Sequence, residues 1–253
     1  MTRLALYRQL AKYYDKFYNW KKYEKEVDFF LRLFDRYGVR GRSILELACG
    51  TGTHAKLFAD HGYYVTGTDL NEEMLRLARR KVHRNATFLK ADMRNIGTAV
   101  GGQYDAVLCL FSSIEYNKTL ADFRRTVQGM YDRTKEGGVA AFDNHFLREA
   151  MIDLHKQTIG FREGKLRGTR FSLTRVHGKT AKIYFDYIVS DGKKAVEVRN
   201  DIHEIGLFTF KEMRDVMVDA GFSRVDVFGD FTFKRMKEAD EKVRDYIFVG
   251  KKK

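Results

Sequence analysis

The sequence predicts an α/β protein in which a seven-stranded, mostly parallel sheet is interrupted by an antiparallel β insertion. Between residues 43 and 143, short apolar runs alternate with amphipathic helical segments, a rhythm typical of βαβ units. From 168 to 207, apolar and polar residues alternate with a period of two, and Asp191-Gly192 supplies the turn signal of a hairpin. A helical segment returns at Thr209, which indicates that the second sheet is inserted into the first.

The individual elements follow from local signals in chain order. Two amphipathic helices, 4–18 and 23–37, precede the first strand. Strands are predicted where apolar runs are bounded by turn residues: 43–48, 63–68, 87–90, 104–110, 139–143, 223–228 and 246–249. Connecting helices are predicted at 53–61, after the N-cap Asn71, at 120–134 and at 209–220. We therefore divide the chain into a helical cap at 1–41, a core at 42–143, the β insertion at 144–207 and the end of the core sheet at 208–253.

The composition of the 253 residues restricts the class of protein. No stretch approaches 18 consecutive apolar residues, and the first residues alternate charge and apolarity, so neither a membrane span nor a secretory signal is expected. The only cysteines are Cys49 and Cys109, which favours reduced thiols and the cytoplasm. A formal net charge of +13 is compatible with nucleic acid, with anionic substrates, or with heat adaptation alone.

A glycine-rich segment follows the first predicted strand and opens a helix. Such a loop lets a ligand approach the backbone closely, with the helix N-terminus facing it. Gly50, Gly52 and Ala55 satisfy the dinucleotide pattern G-x-G-x-x-G/A, and the acidic Asp69 follows about 20 residues later. NAD is therefore a genuine rival to any other cofactor that carries a ribose.

Three further features favour S-adenosyl-L-methionine (SAM) over NAD. Glu46 stands in an otherwise apolar strand, where an acid in SAM enzymes holds the loop and the methionine end of the cofactor. Asp92-Met93 after the third strand suits an adenine, because the carboxylate accepts from the exocyclic amine while the methionine packs on the ring. The C-terminal order of helix, strand, long connection and strand fits an antiparallel seventh strand. Asp69 is then expected to accept from both ribose hydroxyls.

Seven segments follow one another with the order and spacing of a known group: ELACGTGTH, TDLNEEML, ADMR, LCLFSSIEY, KEGG, DIHEIGLFTFKEM and DYIFVG. Over nearly its whole length the chain resembles the sugar N,N-dimethyltransferases of the desosamine and mycaminose type, and related archaeal and bacterial small-molecule methyltransferases. The resemblance implies a class I SAM-dependent methyltransferase with a Rossmann-like core. The acceptor it implies is a small-molecule amine, including an anionic or nucleotide-linked amino sugar. The chain departs from the usual KPGG of this group at Lys135-Glu136-Gly137-Gly138, which affects turn rigidity rather than chemistry.

The resemblance also implies roles for individual residues. Tyr18 matches the tyrosine close to the transferring methyl group, with packing of an amphipathic helix as the alternative for both Tyr18 and Tyr14. No metal ligand is expected. The implied cofactor-binding residues are Tyr14 and Lys22 (or Lys21) at the carboxylate, Glu46, Ala48, Gly50 and Gly52 in the loop, Asp69 and Leu70 at the ribose, Asp92 and Met93 at the adenine, and Leu110 after the fourth strand.

An amine acceptor must lose a proton, and a histidine can accept one near neutral pH. His203 lies just before the sheet resumes, and His145 follows the fifth strand at the rim where ligands bind in open α/β sheets. Both are candidate catalytic residues, with a surface or structural role as the alternative. His54, at the start of the helix after the glycine loop, is expected in the cofactor's surroundings.

The acceptor is expected to be a small molecule rather than nucleic acid. Enzymes that methylate exocyclic amines of bases usually carry an Asp/Asn-Pro-Pro-aromatic loop after the fourth strand, and here that loop is Phe111-Ser112-Ser113-Ile114. A SAM-binding scaffold protein and an RNA methyltransferase remain the alternatives. No membrane contact is expected, and a homodimer is left open.

The positive charge is concentrated in two segments that are expected to cover the active site. Residues 1–41 and 144–199 carry net charges of +5 and +6, most of the total of +13. A cleft lined with one sign of charge attracts the opposite sign. This distribution predicts an anionic substrate, and the candidate phosphate contacts are Arg167, Arg170, Arg175 and Lys179.

Overall fold

The computed structural model describes residues 5–82 and 84–253. Leu4, with which the predicted N-terminal helix begins, lies outside this part of the chain. Within it the strands are β1 (Ser43–Leu47), β2 (Tyr64–Asp69), β3 (Ala86–Lys90), β4 (Tyr104–Cys109), β5 (Thr134–Asn144), β6 (Lys156–Glu163), β7 (Leu166–His177), β8 (Thr180–Ser190), β9 (Ala195–Gly206), β10 (Arg224–Gly229) and β11 (Tyr246–Lys251).

The helices agree with most of the helical signals in the sequence. Asn71 caps its helix as predicted, because its side chain accepts from the backbone N–H groups of Glu73 and Met74. Thr209 and Glu212 form a reciprocal capping box at the start of the last helix. In the described residues the α-helices are α1 (Tyr14–Phe17), α2 (Tyr23–Arg36), α3 (Thr53–Asp60), α4 (Glu72–Lys81), α5 (Ile96–Ala99), α6 (Leu120–Arg133) and α7 (Phe210–Asp219).

Seven of the described strands form one sheet in the order β10-β11-β5-β4-β1-β2-β3. The strands from β5 to β3 pair in parallel, and β11 runs antiparallel to both β5 and β10. This confirms the predicted seven-stranded, mostly parallel sheet with an antiparallel last strand. The carboxyl ends of β1, β2 and β4 meet at one edge, where open α/β sheets bind ligands.

Helices cover both faces of this sheet. On one face α2 and α3 pack Phe30, Phe34 and Phe58 against the strands. On the other face α6 and α7 contribute Phe123 and Met213. Strands buried on both faces read as continuous apolar runs, which is why the sequence displayed them so clearly.

The insertion forms a second, antiparallel sheet in the order β6-β7-β8-β9. Its inner face packs against the N-terminal segment, with Leu10 and Phe17 buried against Phe161 and Tyr187. The sequence predicted β7 to β9 and their hairpin turn, in which the Asp191 carboxylate accepts from the next backbone N–H groups. It missed the edge strand β6, because only Ile159 and Phe161 are apolar in that segment.

The predicted continuous helix at 4–18 is wrong over the described residues. The segment consists of turns, a 3-10 helix at Ala11–Tyr13 and the single turn of α1. The segment instead packs Leu6, Leu10 and Phe17 against the second sheet, and the backbone N–H of Leu6 donates to the Asp201 carboxylate at 3.0 Å. The turn predicted at Gly137-Gly138 is instead an irregularity within β5, which begins at Thr134: Gly137 has a φ of 73°, and the pairing with β4 shifts register between Thr134 and Val139.

The predictions about the cysteines and about membrane-spanning helices can be compared with the structure. Cys49 and Cys109 are both free and buried, in agreement with the predicted reduced thiols. Among residues 5–82 and 84–253, no helix is both long enough and apolar enough to cross a membrane.

Candidate active site

The glycine loop after β1 has a backbone that favours glycine. Ala48, Gly50 and Gly52 all have positive φ, at 50°, 56° and 73°. At Gly52 a Cβ atom would also lie 2.9 Å from the Cβ of Ala78, so α4 and the loop approach each other too closely for a side chain. Ala48 holds this backbone conformation without the freedom of glycine, which costs about 1 kcal/mol or more and is common at ligand sites.

Asp69, at the end of β2, fastens the loop to the start of α4. One carboxylate oxygen accepts from the backbone N–H of Gly50 at 2.9 Å, and the other accepts from that of Asn71 at 2.8 Å. Burial raises the pKa of Asp69, and these backbone donors oppose that shift. Each oxygen retains a further lone pair, as the predicted ribose contact requires. Leu70, the other residue predicted at the ribose, is 48% exposed beside it.

Glu46 is a buried acid with spare acceptor capacity. It is 2% exposed, and its Oε2 atom has no hydrogen-bond partner among the described residues. Burial, reinforced by nearby Asp69, raises the pKa of Glu46 to about 8. A buried carboxyl group without a partner is costly unless a ligand satisfies it. This atom, next to the glycine loop, fits the cationic amino group at the methionine end of SAM.

The N-terminal segment lies over the glycine loop. The Asp15 carboxylate accepts from the Thr51 hydroxyl at 2.6 Å. Lys81 on α4 donates to Asp15 at 2.7 Å, to Thr51 at 2.9 Å and to Thr53 at 2.7 Å. These bonds tie the turn of α1, with Tyr14 beside Asp15, to the loop that the sequence assigned to the cofactor.

Four tyrosines, which we call the tyrosine cluster, gather next to this contact: Tyr7, Tyr14, Tyr18 and Tyr116. The ring centroids of Tyr14 and Tyr18 are 4.7 Å apart, and those of Tyr7 and Tyr14 are 6.1 Å apart. Tyr18 also lies 5.0 Å from Phe111, directly after β4. Burial raises the pKa of both Tyr14 and Tyr18, so their hydroxyls are neutral at physiological pH. The two tyrosines named from the sequence thus bridge the loop and the end of β4.

His203, the predicted proton acceptor on β9, reaches the tyrosine cluster. Its Nδ1 atom is 2.6 Å from the Tyr116 hydroxyl, which is 2.7 Å from the Tyr7 hydroxyl. Its Nε2 atom is 3.3 Å from the Asp201 carboxylate. Sequence reasoning missed Tyr7, Tyr116 and Asp201. Only Asp201 had a local signal, since residues two apart on a strand face the same side.

His145, the other histidine candidate, belongs to a separate set of contacts. Its backbone N–H donates to Glu115 at 2.8 Å, and its Nδ1 atom lies 3.2 Å from the Asp245 carboxylate. Burial raises the pKa of Glu115 to about 8. In the described part of the chain, His145 shares no hydrogen bond with the group around His203. These contacts hold the segment after β5 in place.

Of the two lysines considered for the cofactor's carboxylate, the structure brings Lys21 rather than Lys22 to the site. Lys22 is exposed at the start of α2. The Lys21 side chain is buried, pairs with Glu26, and has its Nζ atom 4.2 Å from the centre of the Phe111 ring. Glu26 in turn lies 2.9 Å from Nε2 of His54.

His54, predicted from the sequence to lie near the cofactor, stands between two acids. Its Nε2 atom faces Glu26, and its Nδ1 atom is 3.8 Å from Glu46. Burial lowers the pKa of His54, which keeps the imidazole neutral. A buried series of contacts through Lys21, Glu26 and His54 therefore connects the end of β4 with Glu46 of β1.

The residues predicted at the adenine and after β4 differ in their contacts and in the face of the sheet on which they lie. The Asp92 carboxylate accepts from the backbone N–H of Arg94 at 2.9 Å and from its guanidinium, which holds the pKa of Asp92 below its usual range. An adenine amine would have to share these oxygens. Met93 is partly buried against the α6 side of the core, and Leu110 is buried on the opposite face.

The turn after Leu110 is strained, a feature that the sequence analysis did not predict. Phe111 and Ser112 both have positive φ, at 59° and 54°. The Ser112 N–H donates to Asp143 at 3.1 Å. Asp143 is itself buried, with its other oxygen unpartnered among the described residues and its pKa raised to about 8 by burial. Strained non-glycine residues of this kind cluster at active sites.

The candidate phosphate contacts do not form one basic patch. Arg170 is 5% exposed and donates to the Tyr18 hydroxyl and to Gln157, both at 2.7 Å. Arg167, Arg175 and Lys179 are exposed. Arg167 and Arg175 share the solvent face of β7, because side chains alternate along a strand and Arg170 points inward. The structure therefore does not bring the four candidate phosphate contacts together.

Comparison with known proteins supports the assignment of the loop. A family profile described as a methyltransferase domain matches residues 44–138. YqeM of Bacillus subtilis (strain 168), assigned to the methyltransferases by name, is 32% identical over 76% of this chain and 78% of its own length. The dTDP-3-amino-3,4,6-trideoxy-alpha-D-glucopyranose N,N-dimethyltransferase of Streptomyces venezuelae is 29% identical over 83% of this chain and 89% of that enzyme.

A solved structure extends the similarity to the whole fold. The crystal structure of Streptomyces venezuelae DesVI superimposes with a TM-score of 0.83 at 28% identity. The match covers 96% of this chain and 98% of DesVI. It therefore includes the N-terminal segment and the antiparallel insertion as well as the central sheet.

Proposed function

This chain belongs to the class I SAM-dependent methyltransferases, and we propose that it methylates the nitrogen of a small-molecule amine. The favoured acceptor class is an amino sugar carried on a nucleotide. Relatives named as dTDP-amino-sugar N,N-dimethyltransferases support this class. A net charge of +13 favours an anionic acceptor over a neutral one.

The observation that carries the proposal is the tyrosine cluster beside the glycine loop. Methylation of an amine leaves a positive charge on nitrogen, and the faces of aromatic rings attract such charges. The neutral hydroxyls of Tyr14 and Tyr18 add hydrogen-bonding partners that carry no competing charge. His203 and Asp201 lie directly behind the cluster, where a proton from the amine can be held.

The proposed cofactor site lies at the carboxyl ends of β1, β2 and β3, next to the N-terminal segment that carries Tyr14. Glu46 and Tyr14 would hold the methionine end, Asp69 the ribose, and Asp92 with Met93 the adenine. SAM supplies an activated methyl group on its sulfonium. The contribution of the protein is positioning, and holding two reactants in line can supply about 7–11 kcal/mol of the barrier. Tyr18, between the glycine loop and Phe111, is the residue proposed next to the transferring methyl group.

The test is turnover with matched acceptors. We would measure S-adenosylhomocysteine (SAH) release with dTDP-linked 3-amino sugars, the corresponding 3-hydroxy sugars, glycine and a short RNA. Turnover with the amino sugar and none with its hydroxyl analogue is expected. SAH binding without turnover on any acceptor would favour a scaffold protein, and turnover on RNA alone would favour the RNA methyltransferase.

The anionic character of the acceptor has its own test. Because salt screens charge attraction but not the methyl step, KM for a nucleotide-linked acceptor should rise steeply with salt while kcat stays level. The free amino sugar, which lacks the diphosphate, is the matched control and should show a flat KM. Equal salt responses would restrict the proposal to small amines in general.

We also propose a homodimer and a reducing compartment such as the cytoplasm. Large apolar side chains are exposed on neighbouring strands of the second sheet, and exposed apolar groups of this kind mark interaction surfaces: Phe171, Tyr184, Ile188, Val198 and Ile202. Both cysteines are free, as a reducing compartment requires. Sedimentation of the wild type and of Ile202→Lys tests the dimer, which the charged variant should dissociate.

A further inference from the structure

A continuous chain of hydrogen bonds leads from the tyrosine cluster into the second sheet. The hydroxyls of Tyr7 and Tyr116 are 2.7 Å apart, and Tyr116 is 2.6 Å from Nδ1 of His203. Nε2 of His203 is 3.3 Å from Asp201, which also accepts from the backbone N–H of Leu6 at 3.0 Å. This series of hydrogen bonds joins three segments that are distant in sequence.

The direction of each bond follows from the acid at the inner end. Although burial opposes it, the His203 side chain and the Leu6 N–H hold the pKa of Asp201 below its usual range, so the carboxylate only accepts. His203 must then carry its proton on Nε2, and Nδ1 accepts from Tyr116. The Tyr116 oxygen accordingly accepts from Tyr7. The Tyr7 oxygen is left as the open end, with lone pairs available to an outside donor.

His203 cannot take a proton from a substrate directly. It is 4% exposed, and both ring nitrogens already have partners. The ring is enclosed by Phe185, at 4.7 Å between centroids, and by Tyr7, at 5.4 Å. Any proton that reaches His203 from the cleft must therefore pass through the tyrosine hydroxyls.

We propose that these residues form a relay that removes a proton from the incoming ammonium before methyl transfer. The inference rests on the proposed amine acceptor. The N–H bond of the ammonium breaks as an O–H bond forms at Tyr7. The former Tyr7 proton moves to the Tyr116 oxygen, and the former Tyr116 proton moves to Nδ1 of His203. Both tyrosines end neutral, the amine regains its lone pair, and the imidazolium is paired with Asp201.

The roles within the relay differ. Tyr7 is the catalytic residue, because its oxygen meets the substrate. Tyr116, His203 and Asp201 are positioning residues that act through it. The other ionisable groups that face members of the relay are Tyr14 and Tyr18 from the N-terminal segment, Asp69 from β2 and Tyr187 from β8, and Arg170 of β7 is bonded to Tyr18.

The first test is the pH profile of kcat for Tyr116→Phe. Amines with a pKa near 8 are about 99% protonated at pH 6 and mostly neutral at pH 9. A variant with a broken relay depends on the small neutral fraction, so kcat should fall about 10- to 100-fold at pH 6 and less than about threefold at pH 9. Tyr64→Phe, an exposed tyrosine at the start of β2, is the matched control and should keep the wild-type profile.

The second test does not depend on turnover. Nitrogen-15 spectra of the SAH complex should show His203 as the Nε2–H tautomer, with its signals identified by their loss in His203→Gln. In Tyr116→Phe the Nδ1 signal should shift towards that of an unbonded nitrogen, while SAH affinity stays within about twofold. Unchanged affinity shows that the variant is folded.

The outcomes separate the relay from the proposed function. If the wild type methylates amines but Tyr116→Phe retains the wild-type pH profile, the relay is overturned and the function stands. An Nδ1–H tautomer of His203 overturns the relay whatever the activity. If the wild type methylates no amine, the proposed function fails and the relay fails with it. Support requires both the shifted profile and the Nε2–H tautomer.

Discussion

Proton release on cofactor binding follows from the surroundings of Glu46. Burial raises the pKa of this acid to about 8, so about nine-tenths of the molecules carry the proton at pH 7 in the free protein. A cationic amino group placed against the unpartnered Oε2 atom favours the carboxylate. Binding of SAH at pH 7 should therefore release about 0.9 proton per site.

The sign of the pH dependence follows from the same shift. The free protein binds more protons than the complex at every pH between the bound and the free pKa of Glu46. Affinity for SAH should therefore rise about tenfold per pH unit up to about pH 8 and level off above it. Calorimetric titrations in buffers of different ionisation enthalpy report the released proton directly, because the observed heat changes with the buffer in proportion to the protons exchanged.

A matched pair of variants isolates the source of the proton. Glu46→Gln should abolish the release and flatten the pH dependence of SAH affinity, whereas Glu136→Gln, at an exposed acid in β5, should behave as the wild type. The reasoning is refuted if wild-type binding releases no proton at pH 7, or if Glu46→Gln releases as many protons as the wild type.

Three further outcomes are expected. Saturating SAH should raise Tm and NAD should not; equal stabilisation by NAD would reverse the cofactor assignment. The variant Asp69→Ala should weaken SAH binding about tenfold or more, because the backbone N–H of Gly50 in the loop loses its acceptor. Gly206→Ala should lower the free energy of unfolding, measured by urea titration, by about 1–3 kcal/mol, because the new Cβ atom would lie 2.1 Å from the Asn117 carbonyl oxygen. Gly101→Ala is the control: its new Cβ atom would meet open space, so the free energy of unfolding should hardly change. The stability contributed by Glu46, Glu115 and Asp143 should be lost as pH rises from about 4 through about 8, because burial raises the folded-state pKa of these three acids. Urea titrations from pH 5 to pH 9 would either find this fall or exclude it.

The core fold could be predicted from the sequence because the residue patterns that specify its strands and helices are local. Apolar runs gave the buried parallel strands, and Asn71 and Thr209 cap their helices as such residues usually do. The conformation of the N-terminal segment could not be predicted in this way. Its apolar spacing predicted a helix, but the segment packs Leu6, Leu10 and Phe17 against the second sheet, and Leu6 donates to Asp201, which is 195 residues away.

The same distinction applies to the candidate site. Glu46, Gly50, Gly52 and Asp69 could be predicted because one strand–loop–helix unit and the next strand end place them. The partners of His203 could not, since Tyr116 is 87 residues away and reaches it through tertiary packing. Whether Lys21 or Lys22 enters the site depends on the backbone between α1 and α2, and neighbouring lysines are indistinguishable by pattern.

The position of the transferred methyl group tests the central claim most directly. We would incubate the protein with carbon-13-methyl SAM and a dTDP-linked 3-amino sugar labelled with nitrogen-15, and record the carbon–nitrogen correlation spectrum of the product. The account predicts a labelled methyl carbon bonded to the labelled nitrogen in the wild type, with the yield at neutral pH strongly reduced in Glu46→Gln. A methyl group on a sugar oxygen, or SAH binding with no labelled product from any amine, would contradict it.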